Sequence, residues 1–109
     1  MENNALKELY QVVESRKEQA AQGSYTGYLF KEGLDKILKK CAEECGEVII
    51  AAKNGSDTET VGEISDLLYH LVVLMVNEGI TLEQVEQELS RRAKKQGNLK
   101  NFHQVDKDT

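Results

Sequence analysis

Residues 63–75, EISDLLYHLVVLM, constrain the fold of this chain more than any other stretch. Eight of the thirteen are aliphatic or methionine, yet Glu63, Asp66 and His70 stand among them. At about 100° per residue, Glu59, Glu63, Asp66 and His70 project within an arc of roughly 60° on a helix, one stripe along its length. Nearly every other direction from Ile64 onward is apolar, through Leu67, Leu68, Leu71, Val72, Val73, Leu74, Met75 and Val76. A surface helix shows the reverse proportion, with a broad polar face. The segment predicts a helix enclosed on most sides and polar along a single line.

The rest of the chain reads as further helices. Asn3 or Asn4 can cap a first helix running to about residue 23, with Leu6, Leu9, Tyr10 and Val13 on one side. GSYTGYLFKEG, residues 23–33, breaks the period and reads as an ordered loop. A second helix from about Leu34 to Lys53 has apolar residues at 34, 37, 38, 41, 45, 48, 49 and 52, ended by Asn54-Gly55. Ser56 with Glu59 marks the start of the helix that contains the opening segment, and it should run to about Glu78 before Gly79. Thr81 with Gln84 repeats the signal for a fourth helix to about residue 96. The expectation is one all-α domain over residues 1–96, an antiparallel bundle of about four helices completed by oligomerisation, with a polar tail at 97–109.

Composition agrees and excludes several classes. The chain has 109 residues, enough for one core, and no proline. Four tyrosines, two phenylalanines and no tryptophan make a β-sandwich or barrel a poor fit. The longest apolar run, residues 71–76, is far short of the roughly 20 residues a membrane span needs, and no signal pattern opens the chain. A cytoplasmic-type protein is expected, with no membrane partner. A net charge of −5 speaks against nucleic-acid binding. The basic run RRAKKQGNLK, residues 91–100, is read as a solvated helix end or a phosphate contact. Cys41 and Cys45 fall on an apolar face as reduced core residues, and no second ligand pair exists for zinc.

The second helix offers more acids. Glu44 lies only about 20° from Ile37 in projection, with Glu47 one turn on and Lys36 and Lys40 on the same flank. Packing the two apolar arcs together brings Glu44 and Glu47 opposite Glu63 and Asp66. Like charges about 4 Å apart repel by roughly 4 kcal/mol at an effective dielectric of 20. Several such pairs rival the roughly 5–15 kcal/mol that typically holds a domain together, so either protons or a cation must neutralise the group. Oxygen donors alone favour a hard ion, Mg²⁺ or Mn²⁺. Such an ion polarises phosphate and lowers the pKa of a water beside it. His70 reads equally as a hydrogen-bonded core histidine or as a functional one.

The motifs resemble a known family. ExxE at 44–47 followed sixteen residues later by ExxD at 63–66 resembles the all-α nucleotide pyrophosphohydrolases of the MazG type. SYTGYLF, the run DKILKKCAEECGEV and DLLYHL narrow the resemblance to the phosphoribosyl-ATP pyrophosphohydrolase family, from the first helix to about Arg92. The tail departs from the family pattern. The resemblance implies hydrolysis of the α–β phosphoanhydride of phosphoribosyl-ATP to phosphoribosyl-AMP and pyrophosphate, the second step of histidine biosynthesis. Glu44, Glu47, Glu63 and Asp66 are then the expected metal ligands. Glu43 or Glu47 is the candidate general base. Lys36, Lys39 and Lys40 are candidates to neutralise the leaving pyrophosphate, and Ser24, Tyr25, Thr26 and His70 candidates to contact substrate.

Two other readings stand beside this one. A house-cleaning pyrophosphohydrolase of ordinary nucleoside triphosphates shares the acids, although SYT and DKILKK favour the first reading. A non-catalytic helical interaction module would keep the acids as structural residues. In all three, the apolar surplus of the third helix, with Ile50 pointing away from the second helix's arc, implies a homo-oligomer, a dimer being the simplest closed form.

Overall fold

The computed structural model describes residues 4–19 and 23–99. Every regular element among them is a helix: α1 (Ala5–Gln19), α2 (Tyr25–Glu32), α3 (Leu34–Lys53), α4 (Asp57–Glu78) and α5 (Leu82–Leu99). The chain divides into two compact units, the first ending at Gly79 and the second beginning at Ile80. No single described helix is long and apolar enough to cross a membrane. Asn3, residues 20–22 and the tail from residue 100 lie outside the described residues.

The helix starts follow the sequence signals. Asn4 Oδ1 accepts the Lys7 N–H at 3.1 Å, and Ser56 Oγ accepts that of Glu59 at 3.2 Å. Before α5 the box closes in both directions: Thr81 Oγ1 accepts the Gln84 N–H at 3.1 Å, and Gln84 Oε1 accepts that of Thr81 at 2.8 Å.

One element departs from the sequence reading. Residues 23–33 are not a loop but hold α2, so the described residues form five helices rather than four. Ser24 Oγ accepts the Gly27 N–H at 2.9 Å and starts the helix. Eight residues, one of them glycine, span barely two turns, too few for a helical period to show. Gly33 alone joins α2 to α3. Its N–H donates to Leu29 O, its carbonyl accepts from Ile37 N–H, and its φ of 96° is one that side-chain-bearing residues rarely adopt.

The first unit is built on Val13 of α1, Leu29 of α2, Ile37 of α3 and Val72, Val73 and Val76 of α4, each at most 5% exposed. Leu9, Tyr10, Phe30, Cys41, Tyr69 and Leu74 pack around them. Burying one such aliphatic side chain contributes about 1.5–3 kcal/mol. Ile37 clusters with residues near 73, while Glu44 meets Glu63 and Asp66. The numbers rise on one helix as they fall on the other, so α3 and α4 run antiparallel.

The inward row of α3 is Ile37, Cys41, Glu44, Val48 and Ala51, all buried or partly buried. The sequence centred this arc on Cys41, Cys45 and Ala52, but Cys45 and Ala52 are exposed. The apolar arc is wider than one partner helix covers. The observed row takes the edge nearest Glu44, and Leu34, Leu38, Cys45 and Ile49 are left in the open.

Candidate active site

Antiparallel packing of α3 on α4 lays the two acid motifs side by side. Glu44, Glu63 and Asp66 each present a carboxylate oxygen, all within 4.8 Å of one another. Glu44 and Glu63 are partly buried and Asp66 is exposed, so the group sits at the rim of the core. Glu63 is pushed above the ordinary carboxylate range, first by burial and then by the charges of Glu47, Asp66 and Glu44. A hydrogen bond with Glu44, which only a protonated carboxyl can donate, acts in the same direction. Three converging carboxylate oxygens, one of them reluctant to ionise, fit a hard divalent cation.

The other candidate residues surround this group without joining it. Glu47 is exposed and reaches Glu63 through its charge. Glu43 turns to Lys40, with 3.1 Å between Oε1 and Nζ. That bond holds the Glu43 carboxyl below its ordinary range and raises the Lys40 ammonium. Lys36 lies one turn before Lys40, its Nζ 5.7 Å from the Tyr28 ring centre. A hydrogen bond to Tyr28 raises its pKa. Lys39 is exposed and adds its positive charge to the field at Glu43.

His70 is the buried end of the stripe, 5% exposed. Its Nδ1 lies 2.8 Å from the backbone carbonyl of Asp66. A carbonyl only accepts, so Nδ1 carries a proton, and in the neutral ring Nε2 accepts the Tyr25 hydroxyl at 2.9 Å. Tyr25 also stacks at 6.1 Å on both Tyr28 and Tyr69. Burial raises its phenol, opposed by the nearby Lys40 charge. Thr26 Oγ1 shares a hydrogen bond with the Tyr69 hydroxyl. Ser24 caps α2. The SYT segment is thus fastened to α4 through Tyr25 and Thr26. Tyr69 escaped the sequence reading because, in DLLYHL, it passes for one more apolar position; only the Thr26 hydroxyl opposite it reveals its role.

Fold and acids together define a class: all-α proteins whose site is assembled from carboxylates on two antiparallel helices. The family profile described as phosphoribosyl-ATP pyrophosphohydrolase matches residues 6–93. A phosphoribosyl-ATP pyrophosphatase of Clostridium botulinum is 54% identical over 99 residues, covering 91% of this chain and 90% of the relative. One from Lactiplantibacillus plantarum is 50% identical over 100 residues, 92% of this chain and 94% of the relative. A histidine biosynthesis bifunctional protein of Caldanaerobacter subterraneus is 54% identical over 90 residues, 83% of this chain but 44% of that longer protein. The chain belongs to the phosphoribosyl-ATP pyrophosphohydrolase family.

Proposed function

We propose that this chain hydrolyses the α–β phosphoanhydride of phosphoribosyl-ATP, releasing pyrophosphate and phosphoribosyl-AMP in the second step of histidine biosynthesis. The observation that carries the reading is the convergence of Glu44, Glu63 and Asp66 within 4.8 Å in a member of this family. These three, with Glu47 beside them, would hold Mg²⁺ or Mn²⁺, which supplies phosphate polarisation and a more acidic water when bound. Glu43, or Glu47 where the metal does not engage it, is the candidate to accept the proton of the attacking water. Lys36, Lys39 and Lys40, N-terminal to the acids on α3, offset charge on the departing pyrophosphate. Tyr25 and His70 hold the wall of the site against α4, and His70 steadies the backbone at Asp66. SYT and the lysine run favour phosphoribosyl-ATP over ordinary triphosphates, which proteins with the same acids also take.

A second copy of the chain completes this picture. Val61, Ile64, Leu68 and Leu71 are 64%, 42%, 39% and 36% exposed, and their spacing places them in one band along α4. This is the apolar seam that helices use to pair. A homodimer closing over that band is the form proposed.

The deciding experiment measures pyrophosphate release with Mg²⁺ from phosphoribosyl-ATP and from the four common nucleoside triphosphates. Efficient turnover of phosphoribosyl-ATP alone is expected. Equal turnover of ordinary triphosphates overturns the substrate assignment. Activity that survives thorough chelation overturns the metal site, and no hydrolysis at all returns the chain to a non-catalytic role.

A further inference from the structure

A groove of about 1070 Å³ opens beside α2, large enough for a nucleotide-sized fragment. Arg16 and Lys17 of α1, Tyr25, Tyr28 and Lys31 of α2 and Asn77 of α4 line it. Three cations and no carboxylate stand on this wall, in a chain whose net charge is −5. Lys17 is partly committed, its Nζ 3.4 Å from Val76 O and 5.9 Å from the Phe30 ring centre. Among the described residues no carboxylate pairs with Arg16 or Lys31. The groove presents positive charge that the fold itself does not use.

Its position adds the second half of the inference. Tyr25 lines the groove, while its hydroxyl is 2.9 Å from His70 Nε2, and His70 is bonded to the backbone of Asp66. Two hydrogen-bonded side chains, Tyr25 and His70, therefore link the basic groove to the backbone of the acid cluster. The two places have opposite charge and suit opposite ends of one ligand. Phosphoribosyl-ATP has phosphate at both ends: a triphosphate, and the monoester of its phosphoribosyl group. The acid cluster can take a polyphosphate only with a cation between them, and the lysines beside it are assigned to the departing pyrophosphate, so a second, distant phosphate needs its counter-charge elsewhere.

We infer that the groove binds the phosphate monoester of the substrate's phosphoribosyl group, with Arg16 and Lys31 as its charged ligands and Tyr25 as the wall between the two ends. The inference rests on the substrate reading proposed above. It locates specificity in a site built for a group that ordinary nucleoside triphosphates lack. A site whose charged groups are matched only by the correct substrate discriminates far more strongly than one that fits shape alone.

The test uses the intact protein and the double variant Arg16→Ala/Lys31→Ala. The first measurement is calorimetric titration of the wild-type protein with ribose 5-phosphate, and with ribose as the control. Ribose 5-phosphate should bind, and the double variant should lose at least about tenfold in affinity, as expected for charged hydrogen bonds to phosphate. The second is steady-state hydrolysis, where kcat/KM for phosphoribosyl-ATP should fall at least about tenfold, mainly through KM. Inhibition by inorganic pyrophosphate should remain as in the wild type. Absence of ribose 5-phosphate binding, equal binding by the double variant, or an unchanged KM overturns the groove assignment. If the wild type fails to hydrolyse phosphoribosyl-ATP, the substrate reading fails, and the titrations still judge the groove by themselves.

Discussion

Asp66 acts through its side chain and its backbone at once. The carboxylate belongs to the group with Glu44 and Glu63, while the carbonyl takes the Nδ1 proton of His70. Asp66→Asn therefore removes one of the proposed metal-binding carboxylates without touching the bond that orients His70. Turnover should drop by more than the roughly 10- to 100-fold typical of losing a metal ligand's outer partner. Thermal unfolding in the absence of metal should be unchanged or shifted upward, because a like charge beside Glu63 has gone. Wild-type turnover in this variant would show that the acids hold no ion. At this scale the sequence was informative where spacing alone decides. Glu63 and Asp66 stood out because polar residues on an apolar helix must have a reason. Glu44 sat at the edge of an arc, where the wheel already set it opposite Glu63 and Asp66, and the packing of α3 on α4 brings it there. Arg16, Lys17 and Lys31 gave no signal, since they lie on two helices and meet only through the placement of α2.

Among the elements, α3, α4 and α5 were legible because each has a capping signal, a long period or both. The helix α2 was not, because its structure depends on Ser24, on the turn at Gly33 and on Leu29 reaching the core. A different device supports α5. Glu88 pairs with both Arg91 and Arg92, with 2.8 Å to Arg92 Nε, and the two guanidinium groups lower its pKa from 4.5 to about 2. A depressed carboxyl contributes stability that is present above its unfolded value and is lost as the pH falls through the folded one. The window is therefore from 4.5 down to about 2. Replacing both arginines with glutamine should return the Glu88 titration towards 4.5, followed by its carboxyl carbon shift. At neutral pH the α5 amides of that variant should exchange about twofold faster, as expected from losing exposed helical pairs. Amides that exchange equally in both proteins at neutral pH would leave the pairs without a role in the helix.

At the scale of the whole molecule, every described helix leaves some large apolar residues exposed, and four of them form one band along α4. Val61, Ile64, Leu68 and Leu71 follow spacings that keep them in register, and Ile49 is 63% exposed on α3. The sequence announced a surplus of this kind without showing where it would emerge, because a wheel gives directions but not which of them a partner covers. Leu68→Lys places a charge in the middle of the band and outside the core. By light scattering the wild type should have the mass of two chains and the variant that of one, with helical circular dichroism retained. A monomeric wild type would remove the proposed seam. The crowding of duties on α4 has one more consequence. Val72, Val73 and Val76 fill the core, its acids and His70 line the candidate site, and the band along its outer side is the proposed dimer face. Almost no position on it is idle. Neutral drift in such a chain should spare α4 and accumulate in the polar faces of α1 and α5, so α4 is the part by which distant cousins would still be recognised.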